Sequence, residues 1–284
     1  MNLYKAKYEQ LRQQPEVSDM LFALERGFKQ FGIDFYLVGA VARDVWMNAI
    51  NNLPASRITK DIDFAVLIND KGTYPQLIEY LINYEGFAAY KGNAFVLIWK
   101  DKTQVDLLPF GNIEDEDGTV TIDGTGLTST SLQGFTEVYE AGLPQINLED
   151  KHQFKFCTLP GIVILKLIAY DDRPEIRADD INDICHILKH FFDMHSVQIY
   201  DHHHELFDNE NAELIDIAAT VMGREMKTIA QRNPTLQQRI TSILQANITN
   251  SDDSPIAILM LQYFGNTVED NIALLKHLIT GFEE

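Results

Sequence analysis

The sequence predicts an α/β protein of the α+β type. A mixed β-sheet domain with packed helices is expected over residues 1–155, followed by a mostly helical domain over 156–284. Three observations lead there. Up to residue 111 the hydrophobic period alternates between helical and strand spacing. Between 112 and 150 the pattern loosens, with "EDEDG" and "GTGLTSTS" as loop signals. From Pro160 onward nearly every segment is helical in period.

The elements follow in order. "MNLYKAKYEQ" opens as a polar helical pattern, and residues 18–31 form a helix with Ser18 as its N-cap. "DFYLVGA" is a strand entering a tight turn, and "VARDVWMNAI" is the helix leaving it. A polar loop, "NNLPASRITK", leads to the strand "DIDFAVLI". "YPQLIEYLINY" is a helix with Pro75 tolerated in its first turn. "AFVLIWK" and "TQVDLLPFG" are two strands of a hairpin turning at Asp101-Lys102. In the second half, helices are expected over 160–171, 178–192, 211–231 and 235–247, with a pair after Ser254. Sheet and helices mixed in this way, then helices alone, place the domain boundary near 150–160.

Composition narrows the class. With 284 residues, 45% hydrophobic and 23% charged, the chain can bury a substantial core. Its longest apolar run, "GIVILKLIAY", is too short to span a membrane and carries Lys166. No secretory signal is visible, so a cytoplasmic location is expected, with Cys157 and Cys185 as free thiols. The net charge of −19 is lopsided: residues 1–110 hold 12 Lys and Arg against 13 Asp and Glu, and the remainder 11 against 29. Such a second half repels a nucleic-acid backbone over most of its area, although screening still permits a local basic patch.

Chemistry is concentrated in three stretches. In "TKDIDFAVLI", Asp61 and Asp63 lie two apart on a strand and so point the same way. Paired carboxylates resist burial unless something positive sits between them. They are either a solvated strand end or a divalent metal site. Asp106 in "QVDLLPFG" is a third acid, flanked by Val105, Leu107 and Leu108 as in a buried sheet. In "VGAVARD", Gly39 lets a ligand approach the main chain closely, and amides at the following helix start can receive phosphate. Arg43 and Asp44 can pair locally, and Lys60 with Thr59 stands where it could steady the aspartates or a phosphate. Three acids on neighbouring strands can hold two Mg²⁺ ions about 4 Å apart, Mn²⁺ serving equally, one on nucleotide phosphates and one on an attacking hydroxyl. "GTGLTSTS" lacks the Gly-Lys-Ser/Thr ending of a P-loop. Six of the eight histidines lie between His186 and His204, and a solvated loop is expected there.

Gly39-Ala40, the helix after them, Asp61-Ile62-Asp63-Phe64 and the later Asp106 resemble the DNA polymerase β-type nucleotidyltransferase superfamily over residues 34–110. "GAVARD" followed by "KDIDFA" is especially similar to the head of CCA-adding and poly(A) polymerase enzymes. The resemblance implies a nucleotidyltransferase domain in which Gly39 and Ala40 seat the triphosphate. It also implies metals on Asp61, Asp63 and Asp106, and Arg43 near the nucleotide. Ala40 replaces the usual second Gly or Ser, and twenty residues separate it from Asp61. No Arg-Arg-Asp-Phe-Thr-like or Glu-Asp-x-x-Arg motif follows, which argues against adding CCA to tRNA.

"LKLIAYDDRPEIRADDINDICHIL" is similar to the helical Lys…Arg…Asp-x-x-Asp segment of the abortive-infection nucleotidyltransferase toxins and their bacterial relatives. That resemblance implies that Lys166 meets the triphosphate, with Asp180 and Asp183 as the matching acids of a nucleotide-binding segment. Asp179 stands where the pattern usually has a basic residue. Lys166 can equally be a side chain snorkelling from an amphipathic helix. The helical domain is expected to contribute to the nucleotide and acceptor cleft. The expected activity moves an NMP from an NTP to an acceptor hydroxyl, releasing pyrophosphate. An RNA end or a protein is the acceptor, and an antitoxin protein the restraining partner. Modification of an aminoglycoside-type antibiotic, or an inactive nucleotide-binding or interaction module, are the alternatives.

Overall fold

A computed structural model describes residues 2–8, 17–54, 61–100, 103–209, 212–249 and 253–284. The chain divides into two compact units, Met1–Thr158 and Leu159–Glu284.

The first unit is built on an eight-stranded mixed sheet of order β1-β9-β10-β2-β3-β6-β5-β4. Its strands are β1 (Leu3–Ala6), β2 (Phe35–Val38), β3 (Asp61–Ile68), β4 (Phe87–Ala89), β5 (Val96–Trp99), β6 (Thr103–Gly111), β9 (Gln145–Leu148) and β10 (His152–Phe156). β7 (Thr119–Thr121) and β8 (Ser129–Ser131) form a separate ribbon. Helices α1 (Val17–Phe31), α2 (Gly39–Asp44), α3 (Thr73–Tyr84) and α4 (Phe135–Glu140) complete the unit, α2 running on as a π-helix over Val45–Ile50.

Alternation on β3 and β6 explains their central place. Ile62, Phe64, Val105 and Leu107 are buried on one face, leaving Asp61, Asp63, Gln104 and Asp106 half-buried on the other. α1 packs against α3 at Gly27, where an added Cβ would lie 2.9 Å from Leu81. Trp46, in the π-turn, donates to the Cys157 carbonyl at 2.9 Å and lies 5.2 Å from the Phe156 ring.

Three sequence expectations are corrected, and one strand is added. The opening segment contains a strand, because Leu3–Ala6 pairs in parallel with β9, a partner 140 residues away that no local period reveals. The loosely patterned stretch 112–150 holds β7, β8, α4 and β9. β10 pairs with both β9 and β2, so the sheet extends to Phe156. The histidine-rich stretch is helix as far as His202, because buried Phe191, Phe192 and Ile199 hold it. The Asp101-Lys102 turn lies outside the described residues, although β5 and β6 pair antiparallel on either side of it.

The second unit is helical: α5 (Leu159–Asp172), α6 (Ala178–His202), α7 (Leu214–Ala230), α8 (Pro234–Ala246), α9 (Pro255–Phe264) and α10 (Val268–Glu283), with a 3₁₀ turn over His204–Phe207. α5 is apolar nearly all round and therefore central. α8 and α9 begin with proline behind the N-caps Asn233 and Ser254, and α10 with a Thr267–Asp270 capping box. α7 and α10 meet almost backbone to backbone. A Cβ at Gly223 would lie 2.1 Å from the Leu278 carbonyl, and one at Gly281 1.9 Å from that of Thr220. Among the described residues no helix is long and apolar enough to cross a membrane. Cys157 and Cys185 are free and buried, and burial pushes the Cys185 thiol up to about 12.

Candidate active site

The three acids meet through strand pairing. β3 and β6 run parallel, with Asp61 opposite Gln104 and Asp63 opposite Asp106. Register partners point to the same side of a sheet, so Asp61, Asp63 and Asp106 share one face of two adjacent central strands. The antiparallel β5–β6 pairing expected from the sequence is present, but the long-range parallel pair is what joins the acids.

The glycine turn lies directly against them. Val38 pairs with Asp63 across the antiparallel β2–β3 ladder, and the chain then turns into α2. Gly39 has φ +68°, and a Cβ there would lie 2.3 Å from Asp63 Oδ2. Glycine is required twice, for the left-handed backbone and for the contact. Ala40 follows, buried.

Arg43 is wholly buried, and its Nε and Nη2 donate to Asp44 Oδ1 at 2.9 and 2.6 Å. The local pair is thus part of the core, where breaking it would strand a charge. Lys60, with Thr59, lies outside the described residues.

Two neighbours of Asp106 escaped the sequence reading. Gln104 Nε2 donates to Asp106 Oδ1 at 3.0 Å. The signal was present, since Gln104 and Asp106 are two apart on one strand, as Asp61 and Asp63 are. Tyr74 donates to the Leu107 carbonyl at 2.8 Å, and burial first, then the Asp106 charge, raise its phenol far above the usual range.

Lys166, Asp180 and Asp183 gather within the second unit. Lys166 Nζ lies 2.6 Å from Asp180 Oδ1 and 2.8 Å from Asp183 Oδ2, with all three side chains at least nine-tenths buried. Burial alone would lower the lysine pKa, but the two facing carboxylates more than offset it, so the ammonium stays protonated. Arg177 adds a second cation 3.6 Å from Asp180. Lys166 is therefore not a snorkelling surface side chain. His186 Nδ1 and the Tyr263 hydroxyl lie 2.7 Å apart in a hydrogen bond.

Among the described residues no three His, Cys, Asp or Glu side chains are gathered into a ready-made metal cage. The carboxylate face nonetheless offers the donors that a hard divalent cation takes. Its donors are hard oxygens, and such ions are commonly held by one or two carboxylates together with substrate phosphates and water. The glycine turn against Asp63 leaves no side chain there to crowd a phosphate.

The family model for the nucleotidyl transferase AbiEii toxin of type IV toxin–antitoxin systems matches residues 23–255, and the chain belongs to that family. No curated protein matches significantly. Solved structures with distant similarity include the following. An antigenic nucleotidyltransferase-like protein from Paracoccidioides brasiliensis is 14% identical, covering 87% of this chain and 98% of its own, with a TM-score of 0.40. The antibiotic-resistance factor ANT(2'')-Ia in solution is 11% identical, covering 66% of this chain and 97% of its own, with a TM-score of 0.33. The crystal structure of ANT(2'')-Ia with adenylyl-2''-tobramycin is 10% identical, covering 56% and 79%, with a TM-score of 0.31. The assignment rests on the family match.

Proposed function

We propose that this chain is a divalent-metal-dependent, toxin-type nucleotidyltransferase that moves an NMP from an NTP to a hydroxyl on an RNA end or a protein. The observation that carries this reading is the register of Asp63 against Asp106, with Gly39 packed on Asp63. Asp61 and Asp63 would bind both metal ions, and Asp106 the second ion. Held there, two Mg²⁺ ions, or Mn²⁺, would neutralise charge on the triphosphate and lower the pKa of the acceptor hydroxyl. The Asp106 carboxylate is the group that takes the hydroxyl proton as the new bond to the α-phosphorus forms in line and pyrophosphate leaves. Gly39 and Ala40 line the phosphate seat, Arg43 supports it through the buried pair with Asp44, and in the second unit Lys166 belongs with Asp180 and Asp183 to the nucleotide-binding segment that the family resemblance implies. Asp180 and Asp183 hold that lysine charged. Family membership further supports an antitoxin protein as the cognate partner.

A second reading keeps the chemistry and changes the acceptor. The charge imbalance beyond residue 110, with 11 basic against 29 acidic residues, favours a cationic small molecule such as an aminoglycoside over an RNA backbone. Expression separates the two. Growth arrest that is absent in Asp61→Ala/Asp63→Ala supports the toxin reading, whereas drug resistance without arrest supports the other. Calorimetry of the four NTPs with Mg²⁺ tests both. Binding that is metal-dependent and lost in the double variant is expected, and no binding to wild type would overturn the enzymatic reading.

A further inference from the structure

The face formed by β3 and β6 has four corners, and only three are acids. Asp61 stands opposite Gln104, and Asp63 opposite Asp106. All four are half-buried, between positions that point into the core. The fourth corner is an amide that donates to its neighbour, with Gln104 Nε2 3.0 Å from Asp106 Oδ1. Its backbone is fixed from both sides, because Gln104 pairs with Asp61 on β3 and with Ile98 on β5. A side chain on so constrained a strand can hold another in one orientation, whereas one on a loop cannot.

Residue type matters at this corner. A fourth carboxylate would add repulsion to three acids already in one place. A lysine would bring its own positive charge and compete with a metal ion for them. An amide donates a hydrogen bond without changing the charge of the face, and holding Oδ1 stops the Asp106 carboxylate from turning about its Cβ–Cγ bond.

We propose that Gln104 is a positioning residue that orients Asp106 for metal binding and proton acceptance, resting on the reading of the acid face as a metal site. Its action runs through Asp106, the carboxylate it donates to. Ligand-orienting groups of this kind alter metal affinity or activity by about 10–100-fold when removed. The NTP-binding step, which draws on the glycine turn, should be largely spared.

The experiment compares wild type, Gln104→Leu, Gln104→Met and Asp61→Ala/Asp63→Ala. Mn²⁺ binding is followed by electron paramagnetic resonance in the presence of a non-hydrolysable NTP analogue, and kcat and KM for the NTP are measured alongside. Circular dichroism and thermal melts identify any variant that fails to fold, and Gln104→Met, matched in length, serves where Gln104→Leu does not. Weakening of Mn²⁺ binding by about 10-fold, with a lower kcat and an NTP KM within about twofold of wild type, is the expected result. Unchanged Mn²⁺ affinity and kcat in a folded variant would overturn the role of Gln104 and leave the metal face standing. Wild type that binds no more Mn²⁺ than the Asp61→Ala/Asp63→Ala variant would overturn both.

Discussion

Two residues carry consequences out of proportion to their size. At Gly39 a single methyl would meet Asp63 Oδ2 at 2.3 Å and would also force an L side chain into φ +68°. Backbone strain of this sort costs about 1–2 kcal/mol, whereas displacing a catalytic carboxylate by about 1 Å can cost 100-fold in rate. Gly39→Ala should therefore lose at least about 100-fold in kcat/KM while its Tm drops by only a few degrees. Loss of fold together with activity would show that the turn is structural. Glu225 lies on α7, where burial raises its carboxyl to about 7. The folded state thus binds this proton more tightly than the unfolded chain does. The group costs nothing at low pH and destabilises progressively as pH rises from about 4.5 to about 7. Glu225→Gln should raise Tm at pH 8, by about 1–3 kcal/mol in stability, and leave it unchanged at pH 4. Melts at the two pH values decide the matter, and an equal shift at both would refute the assignment.

At the scale of elements, helix contacts set the tolerances. α7 and α10 approach so closely at Gly223 and Gly281 that the nearest atoms an alanine at either would meet are all backbone. Overpacking costs about 1–3 kcal/mol where side chains can give way, and here the obstacle is main chain. Each alanine variant should lower Tm by at least about 4 °C, and wild-type melting would mean that the helices can slide apart freely. The α5–α6 pair is held differently, by Lys166 between Asp180 and Asp183. Removing one partner of a buried pair costs about 3–5 kcal/mol, so Lys166→Ala should lose stability as well as activity. Lys166→Ala combined with Asp180→Asn and Asp183→Asn should recover part of the stability and none of the turnover. Recovery of turnover would remove Lys166 from the mechanism.

For the whole molecule, charge is the dominant long-range term. A net charge of −19, most of it beyond residue 110, makes the chain repel itself as well as anionic partners. Raising NaCl from about 20 mM to about 0.3 M shortens the screening length several-fold and should raise Tm. A falling Tm would show instead that ion pairs such as Arg239 with Asp171 and Asp172 outweigh the repulsion. The two compact units, Met1–Thr158 and Leu159–Glu284, each bury their own apolar residues. The carboxylate face and glycine turn belong to the first, and the Lys166 cluster to the second.

By itself the sequence determined whatever depends on short periods. The alternation in "DIDFAVLI" and "TQVDLLPFG" put the acids opposite buried residues, the glycine between strand and helix marked the turn, and helical spacing delimited most of the second half. Tertiary structure decided whatever depends on partners distant in the chain. Leu3–Ala6 becomes a strand only because β9 lies beside it, and β10 joins the sheet only through β9 and β2. The histidine-rich segment is helical because its apolar residues find a core to enter. Asp106 stands next to Asp63 through a parallel pairing across more than forty residues, and register of that kind leaves no local trace. Gln104 lay in plain view two residues from Asp106, but an amide there has meaning only once the carboxylate it holds is seen beside the acids of β3.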